Sequence, residues 1–537
     1  MNRDLSTEQR RVVPTTISWN TQSTHAQVLP LNTGITSVAN VPSKILASIF
    51  HAYRALVSRI SEFVTVSHVC RTWRTAALED ASLWGYLDTI MGEQWLRESV
   101  ERSKQAPLSI DLELSAEMAE PFKDLLPHIW KPSRLRCVRL TGDLAFLHPL
   151  AVLHPLDTNI MSPPQPIPFP LLETLILWSS LTLPTSLVSD SSDMSLTPRL
   201  FPQLRALEVV RAGWYPRFTS PFPNLRRLKL ACDIEIDISY LLDILPKLPQ
   251  LVDLDLEFND LQSMQHGHDT PASVLRLPTL KSLKLTSSCH GCASFLVNLR
   301  LPTCLKVHID CRAYDYDLSD LVGVINALSS SWWSTPPDCS PAQLPTCPIN
   351  QVTLSYPWFQ PDLKLAGFSD NGQTSFTLDV TLPEFGSQFD DIPGYDQNLV
   401  LGAISTIFEY LDIEHLELEG ELARQGEAED TFADILTSFD TGYPCIQSIT
   451  IKSSFLRDFL AFLKDEIGEQ QVPFTRDEAA ELYMRYPTFE LLTLEGLEGA
   501  SVADTEFIEM FAGRMLCNRH IIERGFHDLS EVAEDDT

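Results

Sequence analysis

The residues best suited to chemistry in this chain of 537 residues are a few cysteines, histidines and paired carboxylates. Cys289-His290-Gly291-Cys292 has the Cys-x-x-Cys spacing with which two thiolates grip zinc, and Cys304 and Cys311 lie downstream. Six residues separate that second pair, where zinc sites use two to four. The His-Gly-His-Asp at 266–269 offers metal ligands but no clear third partner, and Asp253 with Asp255 could in principle share acid–base work. With 71 acidic residues in the chain, however, an arbitrary carboxylate pair carries almost no information. The sequence has no G-x-S-x-G elbow, P-loop, G-x-G-x-x-G after a strand, or H-E-x-x-H. Glycine, at 21 residues, is too sparse for extensive phosphate-cradling loops. The expectation is a non-catalytic protein with no cofactor and no metal.

The elements that would hold these side chains follow a repeat. FPLLETLIL begins at Phe169, FPQLRALEV at Phe201, FPNLRRLKL at Phe222, LPQLVDLDL at Leu248, LPTLKSLKL at Leu277 and LPTCLKVHI at Leu301. All obey one template: Phe or Leu, Pro, any residue, Leu or Cys, two residues, then two apolar positions one residue apart. A shorter core recurs at 135–140, 349–354, 413–418, 446–451 and 489–494. Amphipathic stretches such as ISYLLDIL and LSDLVGVINAL lie between copies. One strand and one returning helix per 20–30 residues predicts an irregular α/β leucine-rich-repeat solenoid over residues 105–500, a horseshoe with loop insertions near 150–168, 181–200, 329–348 and 384–398. Residues 501–537 read as a C-terminal cap and acidic tail, with a separate helical domain beyond 400 as the alternative.

Residues that alternate with the template's apolar positions point to the concave face of such a horseshoe. They are Thr174 and Ile176, Ala206 and Glu208, Arg227 and Lys229, Asp253 and Asp255, Ser282 and Lys284, and Lys306 and His308. This mixed stripe suits a short charged or phosphorylated segment of a protein substrate. Its expected contacts are Arg227, Lys229, Asp253, Asp255, Lys284, Lys306 and His308, with a plain solvated face as the competing reading.

Ahead of the repeat the pattern differs. Residues 1–40 are rich in Ser, Thr, Asn and Gln without periodicity and read as a disordered leader. From Val41, Pro42 opens a helix with Ile45, Leu46, Ile49, Phe50 and Tyr53 on one face. A polar connection leads to Phe63, Val66, Val69, Cys70, Trp73 and Ala77, whose spacing predicts one helix, and then to Leu83-Trp84. Some 45 residues rarely bury enough surface to stand alone, so part of this apolar surplus is expected to meet another protein.

Val41-Pro42, Ile45-Leu46, Ile49-Phe50, the run Val69-Cys70-Arg71-Thr72-Trp73-Arg74 and Leu83-Trp84 resemble the F-box of fungal F-box proteins. Two departures are Val41, where that family usually has Leu, and Lys44, where it often has Glu. The resemblance places an F-box at 41–88 in an overall α+β chain. It implies a non-catalytic adaptor that docks on the Skp adaptor of a Skp–cullin–F-box ubiquitin ligase, with downstream repeats holding the substrate. The docking residues it implies are Pro42, Ile45, Leu46, Ile49, Phe50, Val66, Val69, Cys70, Trp73, Leu83 and Trp84. The alternative is a repeat scaffold whose F-box-like helices only cap the solenoid.

Formal net charge is −31, which disfavours nucleic-acid phosphates in the absence of a large basic patch. No apolar run is long enough for a membrane span, the N-terminus lacks the apolar core of a secretory signal, and the eleven cysteines are odd in number. Cytoplasm or nucleus is the expected location.

Overall fold

A computed structural model of the chain describes residues 41–57, 63–114, 126–142, 168–179, 194–211, 216–232, 236–259, 261–262, 274–302, 305–312, 319–333, 349–356, 362–369, 374–381, 414–420, 448–452 and 491–495. The leader, the His-Gly-His-Asp segment, Cys304, the insertion at 384–398, the helices expected beyond 400 and the acidic tail lie outside these. The chain divides into two compact units between Asp80 and Ala81.

In the first unit, α1 (Ser43–Leu56) starts on the carbonyl of Pro42, which accepts from the N–H groups of Ile45 and Leu46. The stripe expected to be one helix over 63–77 is broken. A single tight turn at Thr65–His68 is followed by Cys70 in an extended conformation (φ −158°), and α2 (Arg71–Glu79) begins there. Local side-chain bonds offset the break: Arg74 Nε donates to the Ser67 carbonyl at 2.9 Å, and Ser67 Oγ to the Val64 carbonyl at 2.8 Å. α1 and α2 meet through Phe50 and Trp73, edge to face with ring centroids 5.2 Å apart. Leu46, Phe63, Val66, Ala76 and Ala77 are buried with them.

The second unit opens with β1 (Tyr86–Asp88), α3 (Glu93–Arg102), β2 (Leu108–Leu114), α4 (Leu126–Ile129) and β3 (Leu135–Gly142). It continues with β4 (Thr174–Ser179), β5 (Met194–Leu196), β6 (Ala206–Val210), β7 (Pro216–Phe218), β8 (Arg227–Cys232), β9 (Ile236–Asp237), α5 (Ile238–Ile244) and β10 (Asp253–Phe258). Then come β11 (Leu261–Gln262), β12 (Leu275–Arg276), β13 (Ser282–Ser288), α6 (Cys289–Leu296), β14 (Leu299–Arg300), β15 (Lys306–Arg312) and α7 (Ser319–Leu328). The last strands are β16 (Gln351–Tyr356), β17 (Asp362–Phe368), β18 (Ser375–Thr381), β19 (His415–Gly420), β20 (Ser448–Lys452) and β21 (Leu491–Glu495).

Among the described residues, fifteen strands form one sheet in the order β1-β2-β3-β4-β6-β8-β10-β13-β15-β18-β17-β16-β19-β20-β21. All eleven template copies are strands of it. The template explains why. In Phe-Pro-x-Leu, proline presets the turn while the Phe and Leu at its two ends both point inward. Leu204, Leu225, Leu251 and Leu280 each donate an N–H back to the first template residue of their own copy. The next residue then bonds across to the preceding copy, in a chain from Arg205 to Glu173, Arg226 to Arg205, Val252 to Arg226 and Lys281 to Val252. Register therefore carries over without a slip, and Leu207, Leu228, Leu254, Leu283 and Val307 form one buried row.

Two sequence expectations change. The copy at 349–354 does not follow β15 in space, because β16, β17 and β18 form an antiparallel meander and β18 takes the place beside β15. Gly367 makes that meander possible, since a Cβ there would come within 2.1 Å of the Phe376 ring. The insertion expected to be a loop from residue 329 starts as helix: residues 329–333 extend α7 by a wider turn, and buried Trp332 donates its Nε1–H to the Pro302 carbonyl at 3.0 Å. The fold is mixed α/β, a small helical N-terminal region and a large, mostly parallel sheet. No helix among the described residues is long and apolar enough to cross a membrane.

Candidate interaction surfaces

The apolar residues of α1 lie on two faces. Leu46 and Phe50 are fully buried, while Ile45 is 53% exposed, Ile49 46% and Leu56 83%. Positions 45, 49, 52 and 56 recur at helical spacing, so Ile45, Ile49, Ala52 and Leu56 form a continuous outward stripe. Val69, at the break before α2, is 59% exposed. Sequence spacing placed 45, 46, 49 and 50 on one broad face, and packing divides that face about its middle. Of the other residues in the candidate docking set, Pro42 is exposed, Cys70 and Trp73 are half-buried, and Val66 is buried. Trp73 Nε1 is buried with no hydrogen-bond partner among the described residues.

Leu83 and Trp84 belong to the second unit and are both buried. The Arg102 guanidinium lies 4.4 Å over the Trp84 ring, and Gly85 follows where a Cβ would meet the Pro107 carbonyl at 2.4 Å. These contacts make the pair part of that unit's core.

On the sheet, the residues alternating with the buried rows form a polar face. Its charges pair across strands: Arg227 with Asp253 at 3.5 Å, Lys229 with Asp255 at 3.0 Å, and Lys452 with Glu417. His308 Nε2 stands 3.9 Å from Asp379. Lys284 and Lys306 have no ion-pair partner among the described residues. The seven expected substrate contacts thus fall into two groups, four that neutralise one another on β8 and β10 and three, Lys284, Lys306 and His308, on β13 and β15. Two exposed aromatics, Trp178 and Phe368, also lie on this face. Sequence reading did not single them out, because Trp178 falls just past its template copy and β17 matches no template. The signal available for Phe368 was the alternation of DLKLAGF.

Near the start of the sheet, burial pushes the Asp111 carboxyl above its usual range, while Arg139, 3.3 Å away, pulls it back and Asp88 adds to the rise. The Cys-x-x-Cys lies in the core. Cys289 and Cys292 are buried in α6, and Ser288 Oγ accepts from the Gly291 N–H at 3.0 Å to cap it. Gly291 admits Leu261, whose Cβ would be 2.8 Å from an added methyl group. Cys311 reaches both thiols from β15. Its bond with Cys289 favours the thiolate, but its bond with Cys292 and burial outweigh that, so the thiol sits well above its usual range. Among the described residues no group of three or more His, Cys, Asp or Glu side chains is arranged to hold a metal ion.

Two short helical segments crossing on an aromatic pair, with an apolar stripe left outside, define a small helical interaction module. An F-box-like family model matches residues 38–89, which span α1, α2, the Leu83-Trp84 turn and β1. The module is an F-box-like domain, and the chain is an F-box domain protein. Comparison with curated proteins gives no match.

Proposed function

We propose that this protein is the substrate-recognition subunit of a Skp–cullin–F-box ubiquitin ligase, itself non-catalytic. Its F-box docks on the Skp adaptor, and its repeat sheet, read as a leucine-rich-repeat-type solenoid, holds a protein substrate by its polar face. The observation that carries this reading is the exposed stripe Ile45, Ile49 and Leu56, joined by Val69, inside the matched F-box-like segment. Large apolar side chains left in water at helical spacing favour a partner surface. A scaffold whose helices merely cap the repeats would use that stripe inside the chain, and no Skp adaptor would bind. In this reading Leu46, Phe50, Val66 and Trp73 support the docking face from behind. Free thiols at Cys70, Cys137, Cys292 and Cys311 fit a reducing compartment, cytoplasm or nucleus.

The test is co-purification of the full chain with a Skp adaptor, comparing wild type with Ile45→Asp/Ile49→Asp. Both residues are exposed, so circular dichroism should not change. Adaptor captured by wild type and lost from the folded variant supports the reading. Capture by neither, or equally by both, removes it.

A further inference from the structure

Resting on the substrate-receptor reading, we propose that the polar face of β13, β15, β18 and β17 is where substrate is read, and that it takes an extended acidic peptide segment. Carboxylates of that segment sit on Lys284 and Lys306, and one large apolar side chain sits on Phe368. The argument begins with charge. The cations of β8 are already used, Arg227 by Asp253 and Lys229 by Asp255. Lys284 lies opposite Asp255 and His308 in register, and the carboxylate beside it is the one Lys229 engages. Lys306 lies between Ser282 and Ser375, with no charged residue directly opposite on either side. His308 lies opposite Thr377 and faces Asp379; one row further along the strands, Asp310 and Asp379 bring negative charge to the far side, with Lys364 opposite Asp379 on β17. Lys284 and Lys306, which have no ion-pair partner among the described residues, are therefore concentrated on one part of a face belonging to a chain of net charge −31. An acidic segment is repelled by most of this molecule and held where those cations stand.

Geometry sets the second half of the motif. Phe368 is 41% exposed and shares a row with Lys306, Ser375 alone standing between them. Two strand spacings are roughly 10 Å, about one three-residue turn of an extended polyproline-II segment, whose residues i and i+3 share one side. The floor of this row is small, with Thr377 and Ala366 beside Ser375 and Ser282 on the far side of Lys306, so a peptide backbone can lie close to it. The recognised segment therefore carries acidic residues about three positions from a large apolar one. This moves the reading site away from Arg227 and Lys229, where charge along the sequence alone would centre it.

The experiment uses the full chain co-purified with a Skp adaptor and a fluorescent glutamate-rich peptide carrying one leucine three positions from its acidic run, followed by anisotropy. Wild type is expected to bind it, more weakly as salt rises, and to ignore a lysine-rich control. Lys284→Gln/Lys306→Gln should weaken binding by about tenfold or more, and Phe368→Ser should weaken it too. Arg227→Gln/Lys229→Gln should leave it unchanged, with circular dichroism confirming that all variants fold. Equal loss in the Arg227/Lys229 variant overturns the proposal, as does binding of a phosphoserine version when the glutamate version fails. Stronger binding by a peptide of residues 526–537, the chain's own acidic tail, overturns it in favour of an internal occupant. No peptide binding to adaptor-bound protein removes this inference alone. Failure to capture the adaptor removes the receptor reading beneath it.

Discussion

In the repeat sheet the paired apolar positions of the template are buried strand after strand, Leu228, Leu254 and Leu283 among them, whereas α1 of the helical unit leaves Ile45, Ile49 and Leu56 in water. A strand in the sheet has neighbours on both edges and a covered inner face, so alternation is enough to bury each apolar side chain. A helix of fourteen residues packed on one of nine has a single side to bury. The same residue types thus hold the fold together in one unit and are surplus to it in the other. Apolar character alone does not say which; burial does.

That contrast is most sharply tested at the aromatic pair. Phe50→Ala should cost about 3–5 kcal/mol of stability in the helical unit, because it removes both the buried ring and its edge contact with Trp73. Hydrogen exchange should then speed up across α1 and α2 and stay unchanged over β8, β10 and β13. Equal acceleration in the sheet would mean that the two units unfold together.

The next effect belongs to the sheet. Leu254→Ala removes a side chain from the middle of the buried row and should cost about 2–5 kcal/mol. Its neighbours Leu228 and Leu283 lie directly opposite in register, so β8 and β13 should lose amide protection before β3 or β19. A uniform loss would contradict copy-by-copy stacking. Gly291→Ala should cost less, about 1–3 kcal/mol, through overpacking against Leu261 and the Ser287 hydroxyl. Thermal midpoints of the purified chain measure both.

How much of this was legible follows the same division. The template foretold every repeat strand because turn chemistry and period-two alternation are local and recur in each copy. It missed the meander, since nothing in INQVTL says that two further strands will come between it and β15; Gly367 was the only local sign. In the helical unit, residue types showed that a surplus existed but not which side chains formed it. Ile45 and Leu46 are adjacent in sequence and only about 100° apart around a helix, so only packing separates them. The break at Cys70 was hidden because the one-turn helix and α2 keep roughly the same apolar spacing across it. The polar face was legible as residues but not as charges, because pairing across strands decides that Lys229 is spent and Lys306 is not.

A smaller effect comes with pH. Asp111 has its folded-state pKa raised above the ordinary 3.8, mainly by burial. Between those two values the folded chain binds more protons than the unfolded one, so this group's contribution is present at low pH and is lost as pH rises through the folded value. Asp111→Asn should therefore narrow the difference from wild type as pH is lowered towards 3.8 and below, read as urea midpoints along a pH series. A variant less stable than wild type near neutral pH, with that deficit shrinking on acidification, would mean that the Arg139 pair, not burial, governs the site.

The smallest expected change is the one that bears most on function. Ile45→Ser with Ile49→Ser should alter stability by no more than about 0.5 kcal/mol, because both side chains are already half in water and lose little burial. If the outward stripe is spare surface waiting for a partner, the two substitutions separate folding from binding. Thermal midpoint and exchange rates of α1 stay at wild-type values while capture of the Skp adaptor falls. A large drop in stability would instead place Ile45 and Ile49 in the module's own core. The contrast between the units would then disappear, since both would be using their apolar residues to hold themselves together.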